Sequence, residues 1–277
     1  MLNSCRRRDV ISKSNDESDF DPVKFYESYP QKVILRPGYP ARAQYKSTLM
    51  WNLYGKKIIS SLVKIRSYAD IGGCFGFGAN AMAFHIKNYQ EEYPKTKCFE
   101  LSSDFIKIGK ILFPYIDFVQ CDILNYEGSK DPFDLVTMFD VIEHIPDPES
   151  FLSGISDRAR FALLKTPMET CGDLFGAKPP VKQGYEHSDG HISFFTPKKY
   201  LKLIDKTGWD LIDGIFVRSI VNLSNYRVLK PESEVPNQLI KKTLYYLLLS
   251  DIIPYYFIRK ILGGGDHLCL IKSRKYL

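Results

Sequence analysis

The sequence lacks the cysteine spacings that define metal-binding or disulfide-rich small proteins. Its six cysteines include no C-x-x-C pair and no arrangement with the spacing of a zinc site. Cys98, Cys121 and Cys269 lie within apolar stretches typical of strands, which favours reduced and buried thiols. We therefore predict a cytoplasmic protein whose stability comes from a hydrophobic core.

Long uninterrupted hydrophobic runs are also missing. The first 21 residues are polar, and their arginine triplet is followed by no apolar segment of the signal-peptide type. The apolar stretch 244–257 is interrupted by Asp251 and Pro254, so we predict no transmembrane span. This stretch belongs to a predicted helical insertion at about residues 226–265. Its packing within the protomer or a homodimer, a lid role and peripheral membrane contact all stay open.

A large charge excess of one sign is missing as well. The net charge is +6, but the lysines and arginines are scattered in short clusters, which favours a solvated surface over a nucleic-acid-binding stripe. With 277 residues, 44% of them hydrophobic, the chain can form one large α/β domain with additions. We predict a disordered tail over 1–21, a helical segment over 22–64 that breaks near Gly55, and a main domain over 65–277.

The chemistry of the chain centres on a glycine-rich turn within residues 67–83. A short apolar strand is predicted to end near Asp70, and the turn then opens a helix rich in alanine and methionine. Glycines let the backbone approach a ligand closely, and ligands of open α/β sheets bind at the carboxyl ends of the strands. The glycines of the turn are Gly72, Gly73, Gly76 and Gly78.

Two adenosine cofactors are compatible with this turn. Residues 76–81 formally fit the dinucleotide pattern G-x-G-x-x-G/A. The carboxylate of Asp70 would repel a pyrophosphate, whereas it suits the ammonium and sulfonium charges of S-adenosylmethionine. Glu100, at the end of the next predicted strand, would accept hydrogen bonds from the ribose hydroxyls of either cofactor. These residues favour S-adenosylmethionine and leave an NAD-dependent oxidoreductase as the alternative.

Four segments follow the order found in class I S-adenosylmethionine-dependent methyltransferases. Residues 70–76, DIGGCFG, resemble the family's D-x-G-x-G-x-G motif, with Cys74 in place of its middle glycine. Residues 99–102 resemble the second motif and residues 121–123 the third. Residues 140–148, DVIEHIPDP, resemble a segment of the methyltransferases that act on small molecules, lipid quinones and sugars.

This resemblance implies a fold and a set of cofactor contacts. The implied fold is a doubly wound α/β domain with a mostly parallel seven-stranded sheet, an N-terminal lid and a C-terminal helical insertion. Asp122 would accept a hydrogen bond from the adenine amino group, and Ile123 would cover the ring. The other implied cofactor-binding residues are Asp70, Gly72, Gly73, Gly76, Glu100, Leu101, Phe139 and Asp140. S-adenosylhomocysteine would be the product.

A later segment bears on the acceptor of the methyl group. Residues 190–197, followed by Leu201 and the pair at 208–209, resemble sugar and polysaccharide O-methyltransferases more than other branches of the family. This implies a sugar or glycan hydroxyl, with a quinone or natural-product scaffold as the alternative. No [DNS]-P-P-[YFW] motif follows the fourth strand, so a nucleic-acid acceptor is not predicted. A catalytically silent module of the same fold also stays open.

A sugar hydroxyl is a poor nucleophile and needs a base near neutral pKa, which an imidazole provides. We predict His144 and His191 as catalytic residues, with His187 as a third candidate that contacts the substrate. Asp140 and Glu143 would orient either imidazole. His85 and His267 are predicted to be structural. The lid segment supplies further candidate pocket residues, Tyr26, Tyr29, Arg42 and Lys46.

The same region offers oxygen and nitrogen ligands for a divalent ion. Asp140, His187, Asp189 and His191 would let such an ion acidify a substrate hydroxyl. The loop-like sequence between the two histidines does not fix a coordination geometry. A divalent metal is therefore compatible with the sequence but is not favoured.

Overall fold

The computed structural model describes residues 38–62, 64–128, 131–168, 190–217 and 265–276. The helices are α1 (Tyr39–Leu62), α2 (Phe77–Gln90), α3 (Ser103–Leu112), α4 (Pro148–Ser156) and α5 (Pro197–Lys206). The strands are β1 (Ser67–Ile71), β2 (Lys95–Glu100), β3 (Asp117–Gln120), β4 (Phe133–Phe139), β5 (Ala159–Pro167), β6 (Trp209–Val217) and β7 (Asp266–Ser273). The predicted tail, Tyr26, Tyr29, His187, Asp189 and nearly all of the predicted insertion lie outside the described residues.

One seven-stranded sheet organises the domain, in the order β3-β2-β1-β4-β5-β7-β6. The first five strands pair in parallel, and β7 is antiparallel to both of its neighbours. The prediction of a mostly parallel, seven-stranded, doubly wound sheet is confirmed. The chain reverses its direction of strand addition between β1 and β4, so a ligand-binding crevice opens at their carboxyl ends.

Polar side chains cap the amino-terminal ends of three helices, at the starts that the sequence predicts. The side chain of Ser102 accepts a hydrogen bond from the Phe105 amide at the start of α3. Asp147, ahead of the first-turn proline of α4, accepts one from the Ser150 amide at 3.0 Å. Thr196 does the same at 3.2 Å for the start of α5. Each cap satisfies an amide that has no partner within its helix.

The predicted break near Gly55 is wrong, because α1 runs unbroken from Tyr39 to Leu62. Gly55 is buried inside the helix, and a Cβ atom there would lie 2.8 Å from the ring of Trp51. The glycine therefore makes room for an aromatic side chain one turn earlier. Packing of the helix outweighs the low helix propensity of one glycine, which is about 1 kcal/mol relative to alanine.

The core lies on both faces of the sheet. On one face α4 and α5 contribute Leu152 and Tyr200, which pack with Val136 of β4. On the other face α1 and α2 contribute Ile58 and Met82 to a second cluster of buried residues. Helices on both faces explain why the central strands are almost continuously apolar.

The cysteine prediction holds in part. Cys98 and Cys269 are buried free thiols, as the apolar strands around them indicate. Cys121 is also buried, but it is disulfide-bonded, so the prediction of a reduced thiol is wrong at this position. Among the residues that the structure describes, none of the helices has both the length and the apolar character that a membrane crossing requires.

Candidate active site

The carboxyl ends of the central strands bring together charged residues that are far apart in the sequence. Asp70 lies in β1, Glu100 ends β2, Asp140 follows β4 and Lys165 lies near the end of β5. Helix α1 joins them, because Lys46 forms an ion pair with Asp140. This edge of the sheet contains the switch point between β1 and β4, where the fold places its ligand.

The backbone between β1 and α2 forms a narrow cradle, residues 72–76. Gly72 and Gly76 have φ angles of +67° and +83°, in the left-handed region. A Cβ atom at Gly73 would lie 2.6 Å from both the Asp70 carboxylate and the Cys98 sulfur. Cys74, which replaces the middle glycine of the motif, also has a positive φ of +51°. That conformation costs a side-chain-bearing residue about 1–2 kcal/mol.

Asp70 lies beneath this cradle and supports it. Its side chain is 4% exposed and accepts a hydrogen bond of 2.6 Å from the Thr137 hydroxyl. Burial raises the pKa of Asp70 to about 7, although the hydrogen bond from Thr137 opposes that shift. The sequence places this carboxylate at the mouth of the turn, whereas the structure places it under the glycines. Its direct contact with a cofactor stays a prediction.

Glu100 links the end of β2 to the cradle. Its carboxylate accepts hydrogen bonds from the backbone amides of Leu101 at 2.7 Å, Ser102 at 3.0 Å and Cys74 at 3.0 Å. Burial raises its pKa, and these three amides limit the rise. A buried carboxylate held in this way has a fixed orientation at the point where the fold places the ribose of an adenosine cofactor.

Helix α1, which belongs to the predicted lid segment, lies against the cradle. The Ser47 hydroxyl donates a hydrogen bond of 2.9 Å to the carbonyl oxygen of Gly78. The ring of Tyr39 packs edge-on against Phe75 and Phe77, with ring centroids 5.8 Å and 6.5 Å away. Together with Lys46, these contacts attach the helix to both sides of the crevice.

Lys165 is a site residue that the sequence analysis missed. It is 3% exposed and forms ion pairs with Asp140 and, at 2.9 Å, with Asp266 of β7. Burial alone would raise the pKa of Asp140, but the ammonium groups of Lys165 and Lys46 outweigh it and hold that pKa below its usual range. A single lysine near the end of an otherwise apolar strand was the available signal.

The segment after β4 carries Glu143 and His144, which meet His191; we call these three residues the imidazole cluster. The rings of His144 and His191 lie edge to face, with centroids 4.8 Å apart. The carbonyl oxygen of Glu143 accepts hydrogen bonds of 2.9 Å from the amides of Ile192 and Ser193. Backbone bonds therefore hold two segments, distant in sequence, side by side. The two histidines predicted as catalytic are brought together here.

The cluster adjoins the cradle. Ile71 of β1 pairs with Met138 of β4, so the residues that follow these strands are neighbours. A Cβ atom at Gly72 would lie 3.0 Å from the side chain of Val141, which is three residues before His144. A ligand in the cradle therefore lies beside the turn that carries the first imidazole.

For the other predicted site residues, the structure shows a capping or packing position and no direct test of the predicted role. Asp122 caps a short 3₁₀ turn, Ile123–Asn125, by accepting a hydrogen bond of 2.9 Å from the Leu124 amide. Ile123 is 1% exposed and packs in the core, so its side chain does not lie on an open surface. Leu101 and Phe139 are half-buried at strand ends, and Arg42 is half-buried in the first turns of α1. The cofactor roles predicted for Asp122, Ile123, Leu101 and Phe139, and the substrate role predicted for Arg42, stay predictions.

The remaining described histidines have packing partners that fit structural roles. His85 stacks on Trp51 and lies 2.9 Å from the Thr48 hydroxyl. His267 is 1% exposed beside Phe216 and Tyr200, and burial lowers its pKa to about 4. Neither ring lies in the imidazole cluster.

The glycine cradle fits S-adenosylmethionine, because side chains at Gly73 or Gly76 would collide with Asp70 or Phe118, and a fixed carboxylate stands at the end of β2. A family model described as a methyltransferase domain matches residues 70–213, more than half of the 277-residue chain. The chain belongs to this family. It is an S-adenosylmethionine-dependent methyltransferase, and S-adenosylmethionine is its cofactor.

Individual relatives are distant. The chain is 23% identical over 180 residues to a ubiquinone biosynthesis O-methyltransferase of Vibrio atlanticus (strain LGP32), covering 61% of this chain and 69% of the relative. A structure of the N-terminal domain of EvdMO1 with S-adenosylhomocysteine bound matches with a TM-score of 0.50 and 7% identity, covering 89% and 85%. The [4+2]-cyclase SpnF matches with a TM-score of 0.51 and 10% identity, covering 83% of this chain and 80% of that one. These two structural matches show the fold alone.

Proposed function

We propose that this methyltransferase transfers the methyl group to a hydroxyl of a sugar or glycan. Oxygen as the accepting atom is supported by the name of the Vibrio relative, an O-methyltransferase. A sugar acceptor is supported by the resemblance of residues 190–197 to sugar O-methyltransferases. The structure adds that this segment packs directly against Glu143 and His144 at the crevice.

The imidazole cluster beside the cradle is the observation that carries the proposal. Nδ1 of His144 lies 3.1 Å from the carbonyl oxygen of Gly190, and a carbonyl oxygen can only accept. Nδ1 therefore holds the proton, and the lone pair of the neutral ring is on Nε2. That nitrogen is suited to accept a proton from a hydroxyl next to the cradle.

The reaction follows from this arrangement. Bound S-adenosylmethionine supplies an electrophilic methyl group on sulfur. An imidazole of the cluster would accept the proton of an acceptor hydroxyl, whose oxygen would take the methyl group as the carbon–sulfur bond breaks, with S-adenosylhomocysteine as the product. The chain's contribution is to align the oxygen with the carbon–sulfur bond and to hold the base within reach.

The test compares His144→Ala and His191→Ala with His85→Ala at saturating S-adenosylmethionine. Removal of a general base lowers turnover by about 100-fold or more. We expect that loss in at least one cluster variant, with unchanged affinity for S-adenosylhomocysteine, while His85→Ala keeps the wild-type rate. Full turnover in both cluster variants would show that neither imidazole is the base.

A quinone is the second candidate acceptor, and the name of the Vibrio relative favours it. Mass spectrometry of reactions with nucleotide sugars, oligosaccharides and demethylated quinols distinguishes the two. Transfer to sugars supports the proposal, and transfer only to quinols replaces it with the second candidate. Tight S-adenosylhomocysteine binding without transfer to either class would favour a silent module of this fold.

The predicted N-terminal lid segment includes α1, which borders the same crevice. We propose that residues 22–64 act as a lid, because α1 contacts the cradle through Ser47 and the end of β4 through Lys46. Truncation before Gly38, compared with the full chain, tests this role: the acceptor KM should rise while S-adenosylhomocysteine still binds. An unchanged KM would exclude residues before Gly38 from the acceptor site.

A further inference from the structure

We propose that the imidazole cluster, Glu143, His144 and His191, binds a divalent first-row transition-metal ion, with Zn²⁺ as the expected occupant. One ligand atom from each residue can be chosen so that all three lie within 4.8 Å of one another. The inference deepens the proposed function, on which only its catalytic consequence rests. Binding of the ion itself is a property of the cluster and is measured without any acceptor.

The environment of Glu143 is the observation that singles out this cluster. The side chain is 1% exposed, and within the described part of the chain neither carboxylate oxygen has a hydrogen-bond partner. Asp70 and Glu100, two other buried carboxylates of the crevice, each accept hydrogen bonds at 2.6–3.0 Å. A buried carboxylate without donors is stabilised either by protonation or by a bound cation.

The lysines near the cluster form ion pairs with Asp140 rather than with Glu143. Lys165 and Lys46 both form ion pairs with Asp140, and Lys165 also pairs with Asp266. Among the described residues Glu143 forms no ion pair with either lysine, and its one ionisable neighbour within 4.0 Å is the ring of His144. Lys165 attracts Glu143 only from beyond ion-pair distance, while Asp140 and Asp266 repel it, so the carboxylate has no direct counter-ion among the described residues.

The histidines are arranged as metal ligands commonly are. His144 donates from Nδ1 to the Gly190 carbonyl, which fixes the tautomer and turns the Nε2 lone pair toward Glu143, 4.0 Å from its Oε1. A backbone carbonyl in this role is a frequent second partner of metal-bound imidazoles. The ring of His191 meets that of His144 edge to face, so its nitrogens share the same small space.

The separations are close to those of a metal site. Ligand atoms at about 2.0–2.1 Å from a tetrahedral ion lie roughly 3.4 Å apart. The 4.0 Å between His144 and Glu143, and the 4.8 Å that bounds all three ligand atoms, would have to shorten by up to about 1.4 Å, within the reach of side-chain rotations. The bonds from the Ile192 and Ser193 amides to the Glu143 carbonyl, and from the Ser193 hydroxyl to the Ile145 carbonyl, keep the two segments together before any ion binds.

The chemistry of the ligands selects the ion. Two imidazoles and one carboxylate suit Zn²⁺ and related transition metals, whereas Mg²⁺ and Ca²⁺ prefer oxygen ligands alone. Three protein ligands would leave one tetrahedral position open for an acceptor hydroxyl. A hydroxyl bound there would lose its proton more readily. In the ion-bound protein the imidazoles hold the metal, and the acidified hydroxyl releases its proton to water.

The experiment is a Co²⁺ titration of the full-length, tag-free protein after removal of bound metals by chelation. Visible d–d absorption reports Co²⁺ in a site with nitrogen ligands. We expect saturable binding by the wild type and displacement by Zn²⁺ but not by Mg²⁺. Glu143→Gln, which keeps the side-chain shape, and His144→Ala should each weaken Co²⁺ binding at least tenfold. His85→Ala is the control and should bind as the wild type does.

The outcomes separate this inference from the proposed function. Failure of the wild type to bind Co²⁺ or Zn²⁺ overturns the metal site, and so does equal Co²⁺ affinity in Glu143→Gln and in the wild type. S-adenosylhomocysteine binding, measured in the same samples, shows that each variant is folded. Methyl transfer by the chelated enzyme at the full rate would leave the proposed function standing, with an imidazole as the base and no ion.

Discussion

The crevice has two halves that are built in different ways. On the β1–β2 side, the cradle is formed by backbone conformation within one short segment, and its side chains mainly hold that backbone in place. On the β4–β5 side, charged and imidazole side chains come from five separate parts of the chain: α1, the turn after β4, β5, residues 190–193 and β7. Under the proposed function, the first half holds the cofactor and the second half serves the acceptor.

This difference predicts which kind of substitution damages each half of the crevice. A backbone cradle is damaged by added atoms, because a new Cβ would overlap buried side chains such as those of Asp70 and Cys98. An assembly of buried charges is damaged by removed atoms, because each charge depends on a partner. The predictions below test this contrast.

The largest effect is expected for Lys165→Met. Loss of the ammonium leaves Asp140 with Lys46 alone and removes a buried counter-ion of Asp266. Removing one partner of a buried ion pair costs about 3–5 kcal/mol. Urea unfolding should show a decrease of that size. Lys57→Met, which breaks an exposed pair with Asp213, is the control and should cost less than about 1 kcal/mol. Equal effects of the two substitutions would contradict a buried charge network.

The second effect concerns the pH dependence of stability. The pKa of Asp70 is raised from 3.8 to about 7 by burial, so the folded state keeps a proton that the unfolded chain has released. Stability therefore falls as the pH rises through this window, by a few kcal/mol in total. Asp70→Asn lacks this contribution. Its free energy of unfolding, relative to the wild type, should increase between pH 4 and pH 8, and a pH-independent difference would refute the raised pKa.

The smallest effect concerns binding and distinguishes two neighbouring positions of the cradle. Gly73→Ala adds a Cβ atom 2.6 Å from Asp70 and Cys98, so affinity for S-adenosylhomocysteine should fall at least tenfold, about 1.4 kcal/mol. Cys74→Gly relieves a positive φ and restores the family's glycine, so affinity should be equal or higher. Calorimetric titration measures both variants. A greater loss for Cys74→Gly than for Gly73→Ala would contradict the backbone account.

The two halves also differ in how far the sequence predicts them. The cradle and the strand–helix order are local patterns, so the glycines, the strand ends and the caps at Ser102 and Asp147 could be predicted. The position of Asp70 could not, because burial beneath the turn depends on Thr137 from a neighbouring strand. The pairing of Lys165 with Asp140 and Asp266 also needs the sheet order, which brings β4, β5 and β7 together.

Histidine assignments illustrate the same limit. The segment DVIEH identified His144, and its partner His191 was found by chemistry and resemblance. Glu143 was expected only to orient an imidazole, because no sequence pattern reveals that its carboxylate is buried without a donor. Such a property depends on contacts made by the whole fold, here the docking of residues 190–193 onto the turn after β4.

The central claim is that the cradle binds the cofactor and the imidazole cluster serves the acceptor. Calorimetric titration of S-adenosylhomocysteine into the wild type and His144→Ala tests it most directly. The account predicts the same affinity for both proteins, since the cluster does not hold the cofactor. Loss of S-adenosylhomocysteine binding in folded His144→Ala would place the imidazole in the cofactor site and contradict the division of the crevice.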